Sequence, residues 1–147
     1  MALAVAGCAY LVPTPSPEPR PTRPPFVVLT ETPDGIVGVA RDISGLHLWI
    51  NGSEVTSNLD QGDPPTIHLI TFSGETGMTY NSFVFGLAPP GARTFEVAGQ
   101  PDPIGGVVQR GTFVIALKAK DLLPQQLNWT FRNPAGDVVA RGSNITP

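Results

Sequence analysis

By residue type, His47 and His68 are the groups in this chain best suited to chemistry. In "LHLWI" (46–50) strand alternation puts His47 on a face with Trp49. In "TIHLITF" (66–72) it puts His68 on a face with Ile70 and Phe72. If those strands were neighbours, the two imidazoles and Asp60 or Asp63 from the intervening loop would form a metal triad. No H-x-H or H-E-x-x-H spacing enforces that convergence, so a structural histidine on a sheet face is the stronger reading for each, and no cofactor is expected. The acidic residues come singly, and no G-x-S-x-G elbow, P-loop or dinucleotide fingerprint occurs. "NLDQGDPP" (58–65) has the composition of a calcium loop, but Gln61 and Gly62 break the required alternation of ligands. Trp49 and Tyr80 offer a different chemistry: exposed, they would stack on a sugar or a protein partner, whereas core packing is their default role. A non-catalytic role follows as the leading expectation.

The single cysteine, Cys8, has no partner for an internal disulfide and cannot alone build a zinc or iron–sulfur site. It closes the tetrad Val5-Ala6-Gly7-Cys8, a branched aliphatic residue and two small residues ahead of a thiol. That tetrad resembles the lipobox of bacterial lipoproteins. The resemblance implies that Cys8 carries a diacylglycerol group, that the chain is cut ahead of it, and that residues 1–7 are a truncated signal-peptide-like segment. Each buried methylene of such a lipid contributes about 0.8 kcal/mol, so two or three acyl chains hold a small domain on a membrane.

Behind Cys8 lies "PTPSPEPRPTRPP" (13–25), with prolines at 13, 15, 17, 19, 21, 24 and 25. Alternate prolines fix φ and push each preceding residue toward extended geometry, which makes a polyproline II spacer. At about 3.1 Å per residue it reaches roughly 40 Å. A PxxP ligand for an SH3-type domain is the competing reading, but behind a lipobox a stalk is the more economical one. Residues 8–25 are therefore read as anchor plus linker, and the expected location is the extracytoplasmic face of a bacterial membrane.

The elements that would position any site follow from composition and pattern. At 147 residues the chain suits one domain, here residues 26–147. Sixteen glycines and 17 prolines disfavour long helices, and only "AKDLLPQQ" (119–126) suggests a helical turn. The net charge of −3 with scattered bases gives no stripe to neutralise phosphates, so nucleic acid is not an expected partner. No run of 18 apolar residues suits a membrane-spanning helix.

Short alternating runs recur instead: "FVVLT", "IVGVAR", "LHLWI", "TIHLITF", "TYNSFVFG", "RTFEVAG", "GGVVQ", "TFVIALK", "QLNWTFR" and "DVVARG". Asn51-Gly52 is the strongest hairpin signal, "NPAG" (133–136) suits a type I turn with a bulge, and Gly111 suits a bulge between strands. Nine or ten such strands predict an all-β, antiparallel β-sandwich. The segment from Phe83 to Gly142, with "GLAPPGARTFEV", "GTFVIAL" and "NWTFRNPAGDVVARG", is similar to immunoglobulin-like domains of bacterial envelope proteins. Such domains share no common activity. The expected function is thus a lipid-anchored interaction or assembly module with an unknown protein or glycan partner. The alternatives are a carbohydrate- or small-ligand-binding module and, third, a metal-dependent enzyme using His47 and His68.

Overall fold

A computed structural model describes residues 26–59, 62–72, 77–99, 102–118 and 127–143. Cys8, the proline spacer, Asp60 and the "AKDLLPQQ" segment lie outside the described residues. Among the described residues, eleven strands form three antiparallel sheets. The first is a meander of β1 (Phe26–Thr32), β2 (Gly35–Asp42), β3 (Gly45–Ile50) and β4 (Ser53–Leu59). The second has the order β5 (Thr66–Thr71), β6 (Ser82–Leu87), β9 (Thr112–Leu117). The third runs β11 (Val138–Gly142), β10 (Trp129–Arg132), β7 (Thr94–Val97), β8 (Ile104–Val107).

The second and third sheets face each other and make the expected sandwich. They set three strands against four, with β8 beside β7 at the edge of the larger sheet. Between them Val84, Phe113, Ile115 and Leu117 meet Phe95, Val97, Trp129 and Phe131. Phe95 stacks on Phe113 at 4.0 Å between ring centroids and lies 4.7 Å from Phe131, so aromatic contacts fill the centre.

The first sheet adds a third layer. Alternation sends Phe83, Phe85, Leu87 and Val114 to the opposite face of the second sheet, where they pack against Val37, Val39, Leu46 and Leu48. The middle sheet is therefore covered on both sides, which is why every residue of β6 is buried. It also explains why "SFVFGL" reads as a nearly unbroken apolar run instead of an alternating one. Gly86 in this strand is obligatory, since a Cβ there would fall 1.9 Å from the Thr66 carbonyl oxygen.

The turns follow their residue chemistry. Asn51 and Gly52 both take positive φ (49° and 86°), as a type I′ hairpin turn requires. In "NPAG", Gly136 donates its N–H to the Asn133 carbonyl and has φ of 90°. Gly111 departs from expectation. With Arg110 it forms a two-residue turn of positive φ (49° and 72°) closed by the Gln109–Thr112 pair, so it turns the chain and does not bulge a strand.

Candidate functional site

The two histidines are not brought to one site. His47, on β3, lies opposite Ala40 on β2 and projects from the face of the first sheet turned away from Leu46 and Leu48. His68, on β5, lies opposite Phe85, and its ring sits 5.6 Å from that phenyl, on the side of the middle sheet that packs toward Val37, Val39, Leu46 and Leu48. The imidazoles thus occupy different sheets, facing opposite sides of the first. Asp63 is an exposed residue, and among the described residues no group of three His, Cys, Asp or Glu is arranged to hold a metal ion. The two imidazoles therefore do not meet in a shared triad among the described residues, and each histidine has its own surroundings. The reason is topological: β3 pairs with β2 and β4, and β5 begins a new sheet.

His47 nevertheless sits in a built polar cluster. The residue is 8% exposed, and both ring nitrogens face oxygen partners. Nδ1 lies 2.8 Å from Glu54 Oε1 on β4. Nε2 lies 3.1 Å from Asp42 Oδ1 at the end of β2 and 3.0 Å from Ser44 Oγ in the turn. Ser44 donates to the same Asp42 oxygen through its backbone N–H at 2.7 Å and its hydroxyl at 2.6 Å. This is an Asx-type turn, a short carboxylate capping the N–H two residues on, and it explains why Asp-Ile-Ser-Gly closes the β2–β3 hairpin. The Ser44 and His47 hydrogen bonds hold the Asp42 carboxyl down to about 2, with Ser44 the larger cause. His47 titrates above its ordinary 6.5, because the bond to Glu54 and then the bond and charge of Asp42 outweigh partial burial.

Ser44, His47 and Glu54 match the distances of a nucleophile, base and orienting carboxylate. Two carboxylates beside the ring raise its pKa, which opposes a general-base role. Ser44 directs its shortest bond to Asp42, and its backbone N–H, which would otherwise serve an oxyanion, is taken by the same carboxylate. The Asp42–Ser44 bonds close the hairpin, and His47 joins the two flanking strands.

The opposite end of the first sheet is knitted differently. Asp34, in the β1–β2 turn, accepts the Tyr80 backbone N–H at 2.7 Å. That bond and one from the Thr79 backbone lower its pKa below 3.8. Asn51 adds two bonds, donating to the Asp34 carbonyl at 2.9 Å and accepting the Ile36 N–H at 3.0 Å. Gly35 has φ of 130°, and a Cβ there would fall 1.8 Å from Asn51 Oδ1. Three chain segments therefore converge on one carboxylate and one amide.

Tyr80 is half-buried, with the Lys118 ammonium 5.6 Å from its ring centroid. Trp49 is half-buried on the same face of the first sheet as His47, opposite Gly38 and Glu54. Trp129, by contrast, is buried in the sandwich. One surface feature has no sequence signature. A groove of about 250 Å³ opens where the edge strands β1, β8 and β9 of the three sheets converge, and among the described residues no charged side chain lines it. Gly105 and Gly106 flatten one wall, while Leu29 and Val107, both about half exposed, stand among its lining residues.

Asp34, Asp42, Ser44 and Glu54 were not legible as site residues, although Asp-x-Ser-Gly is itself an Asx-turn signal. Comparison with known protein families, curated proteins and solved structures finds no match for this chain. Fold and site together define a three-layer, all-β sandwich with a charge-clasped hairpin.

Proposed function

We propose that this chain is a lipid-anchored β-sandwich of the bacterial cell envelope that acts by contact, as an interaction or assembly module. The observation that carries the reading is the order Val5-Ala6-Gly7-Cys8, then a proline spacer, then a domain whose first strand begins directly after Pro25. An acylated Cys8 would hold the chain to the membrane, and the spacer would present the sandwich away from the surface. The uncharged groove supports contact as the mode of action. Strand edges and apolar side chains suit an extended segment of a protein partner better than a small charged substrate. Mass spectrometry of the native protein from its host tests the anchor: Cys8 carrying diacylglycerol is the expected result, and a mature chain starting at an unmodified Met1 would refute it.

A second reading, glycan binding, rests on Trp49 and Tyr80 being only half-buried. Trp49→Ala and Tyr80→Ala should then abolish binding to a glycan array while leaving the fold intact. Unchanged binding in both variants, or no binding by the parent chain, removes this reading.

A further inference from the structure

The His47 cluster spans three strands at the weakest-paired part of the first sheet. Among the described residues, strand β4 is an edge strand hydrogen-bonded only to β3. Its register against β3 slips twice, between Leu46 and Leu48 and between Leu48 and Trp49. Each slip leaves an unpaired residue and interrupts the ladder. The Glu54–His47–Asp42 bridge crosses this irregular seam and ties β4, through β3, to the end of β2. Ser44 and Asp42 form the turn at the other side of the ring. Among the described side chains, the charged groups acting on the imidazole are Asp42 and Glu54 alone, one from each flanking strand.

We propose that this corner is a pH-sensitive latch: protonated His47 clamps β2 and β4 together, and its deprotonation loosens the bulged edge strand β4. The imidazolium carries two N–H donors and serves both carboxylates at once. The neutral ring has one donor. The Ser44 hydroxyl can turn to the bare nitrogen only by giving up its own bond to Asp42, so the corner loses one charge-assisted hydrogen bond. The strand with the fewest other attachments gives way first, and that strand is β4. This inference does not depend on the anchor at Cys8.

Native-state amide exchange of the purified chain tests it, with rates corrected for intrinsic base catalysis. Between pH 6.0 and pH 9.0, protection over Ser53–Leu59 should fall on the order of tenfold, the scale of one charge-assisted hydrogen bond. Protection of β6 and β10 should hold over the same range. His47→Gln should show weak β4 protection at both pH values. If that variant does not fold, Glu54→Gln and an NMR titration of the two histidines decide. The His47 midpoint should lie above 6.5 in the parent chain and move down in Glu54→Gln. Protection of β4 that is unchanged with pH, an equal fall in all three sheets, or a His47 midpoint at or below 6.5 would each overturn the latch.

Discussion

At one end of the first sheet Asp34 accepts hydrogen bonds from backbone N–H groups of the loop before β6. At the other, Asp42 accepts from a serine and shares a histidine with Glu54. Both ends close a two-residue turn on a glycine of positive φ, Gly35 at 130° and Gly45 at 127°. Both hold a carboxyl below its ordinary pKa. They differ in what the carboxylate is bound to. Backbone amides do not titrate, so the Asp34 end answers only to acid. An imidazole does titrate, so the Asp42 end also answers to base. The lesson concerns wiring: the same turn chemistry gives a fixed joint or a switchable one, depending on whether its partner can lose a proton.

The largest effect should come from breaking the fixed joint. Gly35→Ala forces a Cβ against Asn51 at a φ that side chains resist, and should cost about 2–4 kcal/mol in chemical denaturation. Asn51→Ala alone should cost about 1–2 kcal/mol through two lost hydrogen bonds. Because removing the amide also removes the clash, the double variant should be less destabilised than the two single costs added. Strict additivity would mean that the strain at Gly35 is purely backbone.

The next effect separates the ends by pH. The Asp34 and Asp42 contributions are in place above 3.8 and are lost as pH falls through their lowered values, about 2 for Asp42. The His47 contribution has the opposite sign. It is complete below 6.5 and is lost as pH rises through the raised value. Melting temperature should therefore decline on the alkaline side in the parent chain and stay level between pH 6 and 9 in His47→Gln. Asp34→Ala should lower the melting temperature throughout that range without changing its alkaline slope. A changed slope in Asp34→Ala would erase the distinction between the two ends.

Much of this architecture was written in the sequence, and the reason is local. Alternation in "LHLWI" and "TIHLITF", and the turn pairs Asn51-Gly52 and Pro134-Ala135-Gly136, act over a few residues, so strands and hairpins could be read directly. The third layer could not. Whether Phe83 and Phe85 face solvent or another sheet depends on where residues 26–59 dock, and no short-range pattern encodes that. The candidate site divides in the same way. His47 was visible as a titratable group in a strand, but its partners Asp42 and Glu54 come from the two flanking strands, whose pairing with β3 includes irregular register that no local pattern encodes. His68 looked equivalent by spacing and proved to face Phe85 instead.

The smallest effect sharpens the comparison most, because it separates backbone from side chain at the fixed joint. Asp34 is held by the Tyr80 N–H and not by its ring, so Tyr80→Ala keeps that bond and gives up the ring with its nearby Lys118 ammonium. At a half-exposed site that interaction is worth about 0.5–1 kcal/mol, and the loss of stability should stay near that size. Asp34→Ala should exceed it clearly in the same denaturation series. If Tyr80→Ala proves the more damaging change, the joint is packed by the ring instead of bonded through the backbone. A small stability change together with lost glycan or partner binding would place the ring on the working surface, held there by an amide that any residue at position 80 except proline can supply.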